Sequence, residues 1–325
     1  MKPRVLIVRT DHLGDCLLTT PLIRALSQGG YAVDILFPAA FLDLFASNPH
    51  IEKAMPLDIS WRSRVLRLAA TLREGKYDLL LLPNASPWQV TLAGLLSGIP
   101  KRMAMWGGIW GRLAGYRCLR SGIESAPRPY AEILLDMARA LDIPIGHAKP
   151  EIFSTHKRKS LGGSLRVGIH LGAGGSACNL APSAYAELAS FILTETDWEI
   201  VLTGTKDEQR LLETWPHTLR SSIRVRNVMG GALEDLCREI TSLDLLIISS
   251  TGPLHIAAAL EVPTLSPFCS RPGLSPLVWG NQNENGSALV SPLDLCRCVG
   301  SGCYCDFSGK ITPRDLFDHA RSILG

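Results

Sequence analysis

The sequence predicts an α/β protein built from two open parallel sheets in series, and three observations carry that expectation. Short β-branched or leucine-rich runs alternate with longer amphipathic ones, as parallel strands joined by helices require. The alternation dissolves between Lys149 and Ser164, in the polar, basic and glycine-bearing stretch KPEIFSTHKRKSLGGS, and then restarts. The chain has 325 residues and is 46% hydrophobic, enough for two domains of ordinary size. Reading that stretch as a linker places one domain at 1–155 and the other at 156–325, the second ending in a cysteine-rich loop and a helix.

Each element follows from its own pattern. In the first half, Arg4 to Arg9, Val33 to Phe37, Tyr77 to Leu82 and Arg102 to Met105 read as strands. Leu17 to Leu26, Arg64 to Arg73, Val90 to Leu96 and Tyr130 to Leu141 have helical apolar spacing, and Gly29, Gly30, Gly75 and Gly98 stand where helices should stop. In the second half the strands are Arg166 to Leu171, Glu199 to Thr203, Arg224 to Val228, Asp244 to Ser249 and Thr264 to Phe268. Helices are expected at Pro182 to Thr194, Lys206 to Trp215, Leu233 to Thr241 and Pro253 to Leu260. Such sheets bind ligands beyond the carboxyl ends of their strands, so the expected site is a cleft between the halves.

Charge excludes one broad class of partner. Thirty-three basic residues face 30 acidic ones, with eight histidines, so the chain as a whole makes no demand for nucleic acid. Locally, Lys101, Arg102, Arg112, Arg117, Arg120 and Arg128 stand against one acid, Glu124, among Trp106, Trp110 and Tyr116. That stretch reads either as a surface for an anionic partner or as a solvated face whose long side chains cover apolar area. The opening apolar run lasts only from Val5 to Val8, too short for a secretory signal, and no run approaches a membrane span. Of nine cysteines, Cys16, Cys118, Cys178, Cys237 and Cys269 lack pairing spacing, which suits reduced thiols in the cytoplasm.

Three stretches fall at expected strand ends. In RTDHLGDCLLTTP, Gly14 permits a close backbone approach, and Asp15 or Asp11 is either a helix cap or a carboxylate base. In HLGAGGSA, Gly172, Gly174 and Ala177 match a dinucleotide fingerprint as text, but the next strand ends in Thr203 and Gly204 without the acid that would hold a ribose. What remains is a glycine-rich loop whose amides and Ser176 suit a phosphate. In SSTGPLHIAAAL, Thr251 can cap, Gly252 can turn and Pro253 suits the first helical position, leaving free amides for an anion. Cys296, Cys298, Cys303 and Cys305, spaced C-x-C-x4-C-x-C, could make a zinc site, a thiol loop or a disulfide; no metal is assigned to the reaction.

The opening RVLIVRTDHLGDCLLTTPLIRAL, the segment STGPLHIAAALEVPTLSPF, the segment SPLVWGNQ and a cysteine-bearing tail before a final helix occur in this order. Together they resemble glycosyltransferase family 9, the lipopolysaccharide heptosyltransferases. The resemblance implies a GT-B architecture, two Rossmann-like domains facing a cleft, with acceptor on the amino-terminal side and an ADP-sugar on the carboxy-terminal side. It also implies inverting, metal-independent transfer of heptose from ADP-heptose to an anionic glycolipid, without a cofactor, by a cytoplasmic protein at the inner face of the membrane. The family's base aspartate falls at Asp15, and a histidine beside the nucleotide phosphates falls at His255. Donor-side candidates are Gly172, Gly174, Ser176, Thr203, Gly204, Gly231, Ser250, Thr251, Gly252, Pro253 and His255; acceptor-side candidates are Thr10, Asp11, Gly14, Arg102, Arg112, Arg117 and Arg120. Two departures stand out: Cys178 or Asn179 occupies the place of the family's phosphate-site lysine, and Ser250 that of an aspartate before T-G-P. A nucleotide-sugar epimerase or dehydrogenase, or a non-catalytic sugar-nucleotide or lipid binder, is the alternative reading.

Overall fold

The computed structural model describes residues 2–57, 64–85, 87–120, 127–153, 163–175, 177–292, 307 and 310–325. The chain falls into two compact units, Met1–Ser154 and Thr155–Gly325. Most of the expected linker lies outside the described residues, as do Ser176 and the tail cysteines Cys296, Cys298, Cys303 and Cys305.

The first unit runs β1 (Arg4–Val8), α1 (Leu13–Leu17), α2 (Thr20–Gln28), β2 (Ala32–Pro38), β3 (Lys53–Leu57), α3 (Val65–Glu74) and β4 (Leu79–Ala85). It continues through α4 (Trp88–Leu96), β5 (Lys101–Trp106), α5 (Gly108–Leu113), β6 (Arg117–Arg120), α6 (Tyr130–Leu134) and α7 (Asp136–Arg139). Its six strands are all parallel in the order β3-β2-β1-β4-β5-β6. Strand β1 lies at the centre, and Val5, Leu6, Ile7 and Val8 are fully buried because both faces of the sheet are covered.

The second unit comprises β7 (Arg166–His170), α8 (Pro182–Glu195), β8 (Glu199–Thr203), α9 (His217–Arg220), β9 (Val225–Asn227), α10 (Leu233–Thr241) and β10 (Leu245–Ile247). Then follow α11 (Gly252–Ala259), β11 (Thr264–Phe268), α12 (Pro276–Trp279), β12 (Gly286–Val290) and α13 (Pro313–Leu324). This sheet is also six-stranded and parallel, in the order β12-β11-β10-β7-β8-β9. In each unit the order reverses direction beside the first strand, so the loops after neighbouring strands splay apart at the carboxyl edge. No helix among the described residues is long and apolar enough to cross a membrane.

Several elements differ from the sequence expectation. The edge strands β3, β6 and β12, with sequences KAMPL, RCLR and GSALV, are not among the expected strands, and pairing with a neighbour reveals them. The helix expected over Leu17 to Leu26 is two helices, because the hydroxyls of Thr19 and Thr20 donate back to Asp15 O and Leu17 O, at 2.8 and 2.7 Å, and bend the backbone between them. Tyr130 to Leu141 likewise divides, at Leu135. Asp207 to Thr214 winds as a 3-10 helix rather than an α-helix.

Gly94 shows how tightly α4 is laid on the sheet. A Cβ there would lie 2.0 Å from the Tyr116 hydroxyl and 2.6 Å from a Leu80 methyl. Replacing a helical glycine by alanine ordinarily gains about 1 kcal/mol, whereas overpacking costs roughly 1–3 kcal/mol. Gly94→Ala is therefore expected to lower the urea midpoint of this unit; a midpoint at or above that of the parent would show that α4 can shift to make room.

Candidate functional site

Both units place their polar candidates just past the carboxyl ends of parallel strands. In the first unit the centre is a residue that the sequence reading passed over. Arg9, directly after β1, has a side chain with no solvent exposure. Its Nε donates to Asp11 Oδ1 at 2.8 Å and its Nη2 to Asp11 Oδ2 at 2.5 Å, a bidentate pair. Nη1 donates to Thr19 Oγ1 at 3.0 Å, Nη2 donates to the Tyr130 hydroxyl at 3.3 Å, and Asp15 Oδ1 lies 3.4 Å from Nη2. The Tyr130 ring in turn stacks on Trp106, with centroids 5.9 Å apart.

Asp15 is the third residue of α1, so it does not occupy the cap position; His12 does, without a side-chain bond to the helix. Burial raises the Asp15 carboxyl above its ordinary range, Arg9 opposes that shift, and the Asp11 charge adds to it. A backbone hydrogen bond from His12 also favours the ionised form. Asp11 is thus the direct partner of a buried cation rather than an independent carboxylate. Gly14 is buried inside α1, and the Thr10 hydroxyl accepts from Asn84 Nδ2 at 3.1 Å.

The basic acceptor-side candidates do not form one surface. Arg102 turns inward: Nη1 donates to Ile99 O at 2.5 Å, Nη2 to Ala114 O at 3.4 Å, and the guanidinium lies over the Tyr116 ring. Arg117 donates to Ala140 O at 2.8 Å, and Arg128 pairs with Asp136. Arg112 stands exposed on α5, and Arg120 ends β6. Spacing along the chain cannot distinguish a cation bound to carbonyls from one facing water.

In the second unit, the loop after β7 contains Gly174 and Gly175 at φ +54° and +74°, left-handed backbone that explains two of its glycines. Beside Gly172 lies the Glu208 carboxylate, whose Oε1 would be 1.7 Å from a Cβ and, as the end of a flexible side chain, could move aside. Glu208 also accepts from the Thr205 N–H at 2.7 Å and sits beside Gly204. Glu208 lies five residues beyond Thr203 and is the carboxylate found beside this loop. Thr203 is buried and its hydroxyl meets His170 Nδ1 at 2.9 Å. Gly231 is exposed in the turn before α10. Asn179, one of the two residues expected at the lysine position, donates to Leu171 O and accepts from the Tyr185 hydroxyl, each at 2.7 Å. Cys178 is disulfide-bonded, against the expectation of a reduced thiol, since spacing along the chain says nothing of cysteines that folding brings together.

The head of α11 carries the second polar group. Thr251 stands at the cap position, as the sequence suggests, yet makes no capping bond, and Pro253 lies in the first turn after Gly252. Its Oγ1 is buried without a hydrogen-bond partner, as are Ser249 Oγ, Ser266 Oγ and Ser270 Oγ. Ser249 and Ser250 follow β10, while Ser266 and Ser270 belong to or follow the adjacent strand β11. His255, inside α11, is pushed down to about 4 by burial, as is His170, so both are neutral at pH 7. A buried hydroxyl left unbonded costs roughly 1–3 kcal/mol, so such a group at a helix start is suited to a ligand rich in acceptor oxygens. Among the described residues, no group of three or more His, Cys, Asp and Glu side chains is placed to hold a metal ion.

The raised Asp15 carboxyl has a consequence for stability. The unfolded chain releases this proton near the ordinary aspartate value of about 3.9, below the folded value, so the contribution of the group falls as pH rises between the two. Asp15→Asn removes that loss. Its thermal midpoint should gain on the parent between pH 4 and pH 7.5, and a difference that stays constant across that range would contradict the shift.

Comparison with known proteins bears on the family and the fold. Residues 156–293 match the family model described as glycosyltransferase family 9 (heptosyltransferase). A Haemophilus influenzae protein named only as a glycosyltransferase is 25% identical over 305 residues, 86% of each chain. A Campylobacter jejuni protein, lipooligosaccharide heptosyltransferase 2, is 25% identical over 163 residues, 49% of this chain and 50% of its own. The structure of Escherichia coli ADP-heptose lps heptosyltransferase II superposes with a TM-score of 0.76 at 23% identity, covering 99% of this chain and 98% of that one. The two parallel sheets are thus those of a GT-B fold, and through residues 156–293 the chain is matched to glycosyltransferase family 9, the heptosyltransferases.

Proposed function

We propose that this protein is an inverting glycosyltransferase that moves heptose from ADP-heptose to an anionic lipopolysaccharide-type acceptor at the inner face of the cytoplasmic membrane, without a divalent metal. The observation that carries the reading is the buried, unbonded hydroxyl of Thr251 at the start of α11, with that of Ser249 just before it in the chain. These donors and the first amides of α11 suit the two phosphates of a nucleotide-sugar and, later, the charge on the departing diphosphate. With the family's lysine replaced and His255 neutral, stabilisation there rests on neutral donors. Glu208 beside Gly172 and Gly204 supplies an acceptor for ribose hydroxyls. The names of the similar heptosyltransferases support heptose and its ADP carrier.

In the first unit, Asp15 is the base. Its carboxylate takes the proton of the acceptor hydroxyl while that oxygen forms a bond to the anomeric carbon. The bond from that carbon to the diphosphate oxygen breaks on the opposite side, and the nucleoside diphosphate leaves with the electron pair. Burial makes Asp15 more basic than a surface aspartate, and Arg9, 3.4 Å away, orients its carboxyl group. Arg112 is an exposed acceptor-side cation.

Single-turnover transfer separates the steps. Asp15→Asn should lose about 10²- to 10⁴-fold in transfer rate with donor affinity intact; turnover within a few-fold of the parent would remove Asp15 from the chemistry. Thr251→Val and Ser249→Ala should each weaken ADP-heptose binding by about fivefold, from roughly 1 kcal/mol per hydrogen bond, while leaving the ligand-free thermal midpoint unchanged or raised. Binding unaffected by these changes would exclude this group as the donor site, and loss of donor binding in EDTA would overturn the metal-free scheme.

A further inference from the structure

Helix α4, WQVTLAGLL, contains no charged residue, and it buries only one side. Val90, Ala93 and Gly94 face the core, while Trp88, Leu92 and Leu95, spaced as successive turns, are 67%, 36% and 40% exposed. A helix apolar all round is normally buried all round. Helix α5 adds Ile109, Trp110 and Leu113, at 68%, 79% and 71% exposure. Tyr116 binds the two helices together: its hydroxyl donates to Thr91 O at 3.1 Å, and its backbone N–H to Gly111 O at 3.0 Å. Large aromatic and aliphatic side chains thus stand in water on two joined helices, where an ordinary surface would carry charge.

We propose that this apolar face of α4 and α5 docks the protein on an anionic lipid bilayer, with its tryptophans at headgroup level and its aliphatic side chains just below. Charge selects this occupant. No Asp or Glu occurs between Asp78 and Glu124, whereas five basic residues do. Arg112 and Lys101 are exposed on α5 and at the start of β5, ready to meet phosphate headgroups. Tryptophan combined with basic residues is the composition that favours the boundary between lipid and water. The inference rests on the membrane-facing part of the reading above and not on its transfer chemistry, and it assigns the contact to the apolar face, with cations in support.

Flotation of the full chain with phosphatidylcholine vesicles, with and without phosphatidylglycerol, tests it. The parent should float with the anionic vesicles and only weakly with neutral ones. Trp88→Ser combined with Trp110→Ser should cut binding at least tenfold at an unchanged thermal midpoint, since both side chains are exposed. Arg112→Gln should weaken binding to anionic vesicles by about fivefold and lose that effect at high salt. Ile223→Ser, at a fully exposed position in the other unit, should bind as the parent does. Asp15→Asn should also float normally, which separates a failure of docking from a failure of catalysis. Absence of the parent from anionic vesicles, or undiminished binding by the double tryptophan variant, overturns the proposal. So does a parent dimer that binds no lipid and that the tryptophan substitutions dissolve, because the face then belongs to a second copy.

Discussion

A guanidinium buried without solvent contact sets the terms for the amino-terminal unit. A full charge removed from water costs several kcal/mol unless oppositely charged and hydrogen-bonding groups surround it. Arg9 draws those groups from Asp11 in the following loop, Asp15 in α1, Thr19 between α1 and α2, and Tyr130 in α6. One side chain thereby secures the loop after the central strand and the helices around it. Arginine suits the position because its planar fork makes several directed bonds at once, which a lysine ammonium cannot reproduce. The same cluster makes Asp15 unusual: burial and Asp11 hold its proton on, Arg9 and the His12 amide pull it off, and burial prevails.

The carboxy-terminal unit has the same sheet topology but fills the corresponding edge with neutral groups. His170 pairs with the Thr203 hydroxyl, His255 is uncharged, and the hydroxyls of Ser249, Thr251, Ser266 and Ser270 have no partner among the described residues. Burial explains the neutral histidines: at His170 it outweighs the opposing charge of Glu208, and at His255 it acts alone. Glu208 is the exception, a carboxylate seated against two glycines. Glu208 offers acceptor oxygens and the Thr251 hydroxyl a donor, while the first unit gathers charged groups around Arg9.

Much of the architecture is legible as local pattern. Central strands announce themselves because both faces are covered and every position is apolar, as in Val5 to Val8. Thr264 to Phe268 and Leu233 to Thr241 lie where their own periodicity puts them. Edge strands do not, because RCLR and GSALV become strands only when a neighbour offers its free backbone edge. Of the candidate site, the glycine-rich loop and the S-T-G-P turn can be read from residue type, since only certain residues tolerate such backbone. The basic stretch could not be sorted, because Arg102 and Arg112 look alike in sequence.

The sequence by itself determined the α/β class, the sites of the loops at strand ends, and the aspartate, glycines and hydroxyls available there, because periodicity and turn chemistry are properties of neighbouring residues. The tertiary structure decided which of those groups meet. It brought Arg9 to Asp11 and Asp15, turned Arg102 onto backbone carbonyls, set Glu208 against Gly172, and left the hydroxyl of Thr251 without the capping bond its position suggested. These pairings join residues whose separation along the chain carries no periodic signal; they follow from strand order and burial, which exist only once the sheets have formed.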